Sequence, residues 1–132
     1  MIPTWVYTLP YVEGGRTKQG ADCWGLVVLL YKELFDIHLT TYQDITLPSI
    51  KECHETSEKL QAVLMGQQMF DEVDSPEYGD VILLNVLGEP LHIGFCLDDT
   101  TMIHTGRKHG VVIENFTEMK WKRKIAGFYR KK

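Results

Sequence analysis

Between Ala21 and Phe35 the apolar residues Leu26, Val27, Leu30, Leu34 and Phe35 recur at helical spacing, with Lys32 and Glu33 on the opposite side. Asp22 stands just before this run, where an N-cap belongs, so Cys23 falls in the first turn. A second, more polar helical stretch is predicted from Ser49 to Met65 around Leu60, Val63 and Leu64, started by Pro48-Ser49 and stopped by Gly66. Beyond it the pattern changes to short apolar runs of strand length. Val81 to Asn85, Leu91 to Leu97, Thr100 to Thr105, Val111 to Asn115 and Ile125 to Arg130 are parted by turns at Glu77-Tyr78-Gly79-Asp80, Gly88-Glu89-Pro90 and Asp98-Asp99. Helices first and antiparallel strands after is an α+β pattern, with N-terminal helices packed on a C-terminal meander of about five strands.

Composition narrows the class further. The 132 residues suit one domain spanning the whole chain, with no repeat or linker to divide it. Apolar residues at 44% and charged residues at 24% exclude a disordered tail, a coiled coil and a collagen-like chain. No apolar run approaches the roughly 20 residues of a transmembrane helix. The start, Met1-Ile2-Pro3-Thr4-Trp5, has neither a basic region nor an apolar core, so no signal peptide is expected.

A net charge of −4 argues against a nucleic-acid partner, which needs a basic field. Lys120, Lys122, Arg123, Lys124, Arg130, Lys131 and Lys132 form a local basic cluster, read as a solvated terminal face, with Lys131 and Lys132 beyond the last strand. An electrostatic foothold for an anionic partner is its alternative use. Three cysteines without paired spacing do not make a disulfide framework, and point to a reducing compartment or to one working thiol.

Cys23 is the candidate for that work. A thiol at a helix N-terminus sits in the positive end of the macrodipole beside unpaired N–H groups, so thiolate character is expected at neutral pH. Gly20 and Gly25 on either side would allow a substrate close to the backbone. His92 shares one strand face with Gly94 and Cys96, which leaves room above it. Pairing about Asp98-Asp99 sets residues summing to roughly 197 opposite one another and brings His104 near His92. A cysteine, a base and a group to orient the base is the logic of a nucleophilic triad. Zinc is the rival use of Cys23, His92 and His104, but no C-x-x-C or H-E-x-x-H spacing supports it, and Cys53-His54 cannot easily converge on one ion. His38, His54, His109 and Cys96 take structural or solvent roles.

Gly20-Ala21-Asp22-Cys23-Trp24-Gly25-Leu26-Val27 resembles the nucleophile segment of the NlpC family of papain-like cell-wall cysteine peptidases, most of all its phage tail-associated branch, where Trp follows the cysteine. Pro10-Tyr11-Val12-Glu13-Gly14-Gly15 is similar to the family's upstream tyrosine and Gly-Gly segment, and Tyr78-Gly79-Asp80-Val81 to its turn into the sheet. Leu91-His92-Ile93-Gly94 resembles its histidine strand, Ile103-His104 its third catalytic position, and Ala126-Gly127-Phe128-Tyr129-Arg130 the last strand of the phage branch. Tyr78 stands where the family usually has Pro, and Glu13 where an aromatic is common.

The resemblance implies a papain-like fold and hydrolysis of amide bonds in peptidoglycan stem peptides, without a cofactor. Cys23 would be the nucleophile, His92 the base and His104 its orienter. Tyr11, Asp22 and Trp24 would be the substrate-binding residues, with Asp22 pairing a free amino group. The setting implied is a phage tail, with tail-tip proteins as partners and action at the host cell wall. Alternatives are an amidase toxin of a contractile secretion system, and a tail-tip or plug subunit that keeps the fold without turnover. A permuted lipid-acyltransferase relative is disfavoured, because there His precedes Cys.

Overall fold

In the computed structural model, which describes residues 2–41 and 69–132, the chain turns into its long helix at Asp22. The backbone of Asp22 is extended (φ −91°, ψ −169°) and its side chain accepts the Gly25 N–H, which starts α1 (Cys23–Phe35) where the apolar spacing placed it. Every residue from Trp24 to Tyr31 is buried. Asp36 closes the helix in the left-handed conformation (φ 53°), its N–H on the Lys32 carbonyl. The expected helix Ser49–Met65 lies outside the described residues, as do Cys53 and His54.

Ahead of α1 come a 3-10 turn at Thr4–Thr8 and a small hairpin of β1 (Arg16–Thr17) and β2 (Gly20–Ala21). Pro10 to Val12 runs beside β2: Ala21 N–H donates to Pro10, and Val12 N–H donates to Ala21. This lays Tyr11 next to the start of the helix that carries Cys23.

After the helix, β3 (Phe70–Val73), β4 (Val81–Val86), β5 (Glu89–Cys96), β6 (Thr101–Gly106), β7 (Gly110–Asn115) and β8 (Ile125–Lys131) form one antiparallel sheet in the order β3-β8-β4-β5-β6-β7. A short helix, α2 (Met119–Lys122), precedes β8. The arrangement is α+β and papain-like, with two changes to the expected sheet. The meander holds from β4 to β7, but β8 crosses back to pair with β4 on its far side. β3, a short edge strand with charges at Asp71 and Glu72, adds a sixth strand beyond it.

The basic end of the chain is therefore not a loose tail. Lys131 lies within β8 opposite Phe70, and the Lys132 N–H donates to the Met69 carbonyl at 2.9 Å. Arg130 grips the buried Asp80 with two bonds, Nε to Oδ1 at 3.0 Å and Nη2 to Oδ2 at 2.8 Å, which locks the Tyr78-Gly79-Asp80 turn to β8.

Alternation sorts the sheet residues into two layers. Val81, Leu83, Ile93, Phe95, Ile103 and Tyr129 pack with α1, while Ile82, Leu84, Cys96 and Met102 pack with Phe116 and Trp121 on the other face. Between β5 and β6 the ladder has only two rungs, Phe95 opposite Ile103 and Cys96 opposite Met102, one step from the expected register. Towards the start of β5 the two strands part, and this opening shapes the site.

The glycines around Cys23 serve the fold rather than a ligand. A Cβ on Gly25 would lie 2.0 Å from the Gly15 carbonyl oxygen, and one on Gly20 would lie 2.2 Å from the Val12 side chain. The chain itself fills the space that the sequence left for substrate. Gly25→Ala is therefore expected to cost at least about 3 kcal/mol, the top of the overpacking range. Gly88→Ala, at φ 79° with nothing within 4 Å, carries only the roughly 1–2 kcal/mol of left-handed strain. Urea denaturation of both variants checks the ranking, and equal losses would contradict the close helix–loop contact.

Candidate active site

A narrow cavity of about 50 Å³ opens at the end of the sheet where β4 and β6 finish and β5 begins. Cys23 and His92 both line it, with Tyr11, Thr105 and Arg107 among the other walls. Cys23 arrives from the helix layer. His92 stands on the opposite sheet face, level with Leu84. They share a cavity because the β5–β6 ladder has ended by this point.

His92 is the first link of a chain of polar contacts. Its Nε2 lies 2.8 Å from Nδ1 of His104, and Nε2 of His104 lies 2.6 Å from Oε2 of Glu114 on β7. Lys120 of α2 donates to the other Glu114 oxygen at 3.2 Å. Gly94 leaves room for this stack, since a Cβ there would meet Ile82 at 3.0 Å, Met102 at 3.2 Å and the Cβ of His104 at 3.5 Å. Trp121 closes it from outside, nearly parallel to His92 (6.3 Å between centroids, 19°) and edge-on to His104 (5.1 Å, 83°). The Lys120 and Lys124 ammonium groups sit over the indole at 5.2 and 5.3 Å.

The NlpC/P60 family profile matches residues 8–130. The chain belongs to the NlpC/P60 family. It is 25% identical over 118 residues to the murein DD-endopeptidase MepS/murein LD-carboxypeptidase of Escherichia coli K12, covering 86% of this chain and 51% of that protein. It is 26% identical over 116 residues to the probable endopeptidase NlpC of the same strain, covering 86% of this chain and 64% of that protein. The chain thus spans about half to two-thirds of the length of these curated relatives. Among solved structures, the NlpC/P60 domain of the peptidoglycan hydrolase SagA superposes with a TM-score of 0.56 at 18% identity, covering 95% of this chain and 87% of that one. A Bacillus cereus NlpC/P60 family protein gives 0.59 at 23%, covering 92% and 35%. These likenesses establish the fold.

The other residues read from the sequence divide in two. Tyr11 lines the cavity of this NlpC/P60 domain, and burial raises its phenol pKa above the ordinary value. The Arg107 guanidinium lies 5.9 Å from the Tyr11 ring and pairs with Glu13 at 2.7 Å. Asp22 and Trp24 do not line the cavity. Asp22 is 2% exposed and its oxygens accept from Arg16, Gly14 and Gly25; Trp24 is 1% exposed and donates to the Thr40 carbonyl. Cys96 is buried and burial pushes its thiol up, as expected of a structural cysteine. His38 is exposed beside Asp36, whereas His109, assigned to a solvated turn, packs its ring 5.7 Å from His104. No cluster suited to a metal ion occurs among the described residues. A larger hollow of about 220 Å³ beside Tyr31, Phe35 and Tyr78 holds no nucleophile, and its Asp80 and Arg130 pair with each other.

Glu114 is the site residue that sequence reading missed. Pairing β6 and β7 about Arg107-Lys108-His109 would have found it: Met102 faces Glu114, which puts Glu114 on the same sheet face as His104.

The surroundings of Cys23 oppose the thiolate expected of a helix start. Burial and then the adjacent Asp22 carboxylate push the Cys23 thiol up to about 12, outweighing the Ile93 and Trp24 N–H groups. Burial, then His104 and His109, push His92 down to about 3. His104 is also held below its ordinary range by burial, although Glu114 pulls the other way. Both shifts favour a neutral thiol and a neutral imidazole at neutral pH. Because His92 keeps its basic form as pH falls towards about 3, kcat/KM on an amide substrate without titrating groups should stay level from about pH 8 to about pH 5. An acid limb between about pH 6 and 7, the range of an ordinary imidazole, would contradict the neutral resting pair.

Proposed function

We propose that this chain is a cysteine peptidase that hydrolyses an amide bond in the peptide stems of peptidoglycan. The observation that carries the reading is the meeting of Cys23 and His92 in one cavity, with His92 backed by His104, in a family whose curated relatives are named murein endopeptidases. Nε2 of His92 is engaged by His104, which leaves Nδ1 to take the thiol proton. The sulfur then attacks the carbonyl carbon. The negative charge on the carbonyl oxygen falls near the Cys23 N–H, one of the first-turn donors without an intrahelical acceptor. Collapse to the thioester releases an amine that takes its proton from His92. A water, deprotonated by the same nitrogen, frees the carboxylate and restores the thiol.

Two further features support a stem-peptide substrate. A cavity of about 50 Å³ is well below the roughly 300–1,000 Å³ that encloses a compact ligand, which suits an extended chain lying across it. Its polar groups include the Arg107 guanidinium and the buried Thr105 hydroxyl, which has no hydrogen-bond partner among the described residues. The Thr105 hydroxyl suits the amides of a peptide, while the Arg107 charge is already met by Glu13. The phage-tail setting and tail-tip partners rest on Trp24 after Cys23 and on the form of the last strand, and co-sedimentation with virions tests them.

The chemistry is tested with purified sacculi. New amines and shortened stems, identified by mass spectrometry, are expected from the wild type. Cys23→Ala and His92→Ala should lose at least about 10⁴-fold, because such residues act as a unit. His104→Asn should keep measurable turnover, since an amide oxygen can accept the His92 N–H, while His104→Leu should not. No release by the wild type would favour a non-enzymatic subunit.

A further inference from the structure

We propose that Glu114 is a positioning residue that fixes where the protons sit on the histidine pair, making the relay a chain of four residues, Cys23, His92, His104 and Glu114. The inference rests on the peptidase reading only for its effect on turnover. Its structural part follows from two distances and hydrogen-bond bookkeeping.

An ionised carboxylate can only accept. Burial opposes charge on Glu114, but the His104 and Lys120 donors outweigh it and hold the carboxyl below the ordinary glutamate range. The 2.6 Å contact therefore requires the proton on Nε2 of His104. A neutral His104 then has a lone pair on Nδ1. The 2.8 Å contact to His92 can be made only if Nε2 of His92 donates. A neutral His92 that is protonated on Nε2 has its own lone pair on Nδ1, the nitrogen left to serve Cys23.

Without the carboxylate the pair is ambiguous. The hydrogen bond between the rings forms equally well with His104 Nδ1 as donor and His92 Nε2 as acceptor. That arrangement puts a proton on Nδ1 of His92 and leaves it unable to accept the thiol proton. Glu114 removes the choice from two residues away, without touching Cys23. It also faces, through His104, the imidazolium that His92 becomes during the reaction, as the carboxylate of a Ser-His-Asp triad does. Lys120 holds the second carboxylate oxygen and keeps the first one aimed at His104.

Glu114→Leu removes the acceptor and Glu114→Gln keeps the size but not the charge. Nitrogen-15 spectra of the full chain with labelled histidine report the tautomers and need no substrate. In the wild type the Nε2–H form should dominate at both rings, by at least about tenfold for a bond to a charged acceptor. In Glu114→Leu a substantial population of His92 should move to Nδ1–H. Iodoacetamide alkylation of Cys23 near neutral pH should slow by at least about fivefold in both variants. On a soluble stem peptide, kcat should fall at least about tenfold with KM within about threefold, because the group does not touch substrate.

Unchanged tautomers in a folded Glu114→Leu would overturn the proposal, as would kcat within about threefold of wild type in both variants. Should Glu114→Leu not fold, the alkylation rate and kcat of Glu114→Gln decide alone, and wild-type values in both would overturn it. A wild-type protein that cleaves no stem peptide would remove the peptidase reading, and the tautomers and alkylation rates would still decide the role of Glu114.

Discussion

The Asp22 carboxylate is the point on which the site turns. One oxygen accepts from Arg16 at 2.6 Å and from the Gly25 N–H at 2.9 Å, the other from the Gly14 N–H at 2.9 Å. It thereby caps the helix that carries Cys23, anchors the loop that carries Tyr11, and neutralises an arginine whose side chain is 3% exposed. Arg16 passes the constraint on to the Gly15 and Thr41 carbonyls. Deleting one partner of such a pair strands a buried charge, at about 3–5 kcal/mol. The same carboxylate is next to the thiol and helps hold it neutral. The group that builds the helix start thus opposes the effect a helix start usually has on a cysteine.

That opposition explains why part of the chemistry could not be read from residue order. Asp22, Cys23 and the apolar run behind them announce a capped helix with a thiol in its first turn, and the structure has it. Whether the thiol is charged depends on how deeply the turn is buried, which is a tertiary property. The histidine pair was legible because Asp98-Asp99 fixes the hairpin within one residue, and one residue of error still leaves the rings in reach. Glu114 was not, since one Glu in a half-polar strand has no signal until strands β6 and β7 are put in register. β3 escaped because Asp71 and Glu72 interrupt its apolar pattern, and the return of β8 to β4 is a long-range pairing that no local period encodes. The substrate roles assigned to Asp22 and Trp24 came with the motif, and burial engages both side chains elsewhere.

The two sheet faces divide the labour. One is the helix-packed core, and the other carries His92, His104 and Glu114 under the Trp121 indole. Trp121 covers part of both rings and His104 beneath it is 1% exposed, so the inter-ring bond lies in a low dielectric that strengthens it. Burial of this kind favours the neutral form of both rings.

The contact between Gly25 and the Gly15 carbonyl has a practical meaning for anyone who would re-engineer this domain. Cleft wall and nucleophile are often treated as separable modules, one to be exchanged for specificity and the other left alone. In this protein the wall's backbone rests directly on the first turn of the helix, with no side chain between them to absorb a misfit. A transplanted loop that sat half an ångström differently would carry the sulfur with it. The unit to graft between relatives is therefore the whole stretch from Pro10 to Leu26, moved as one piece.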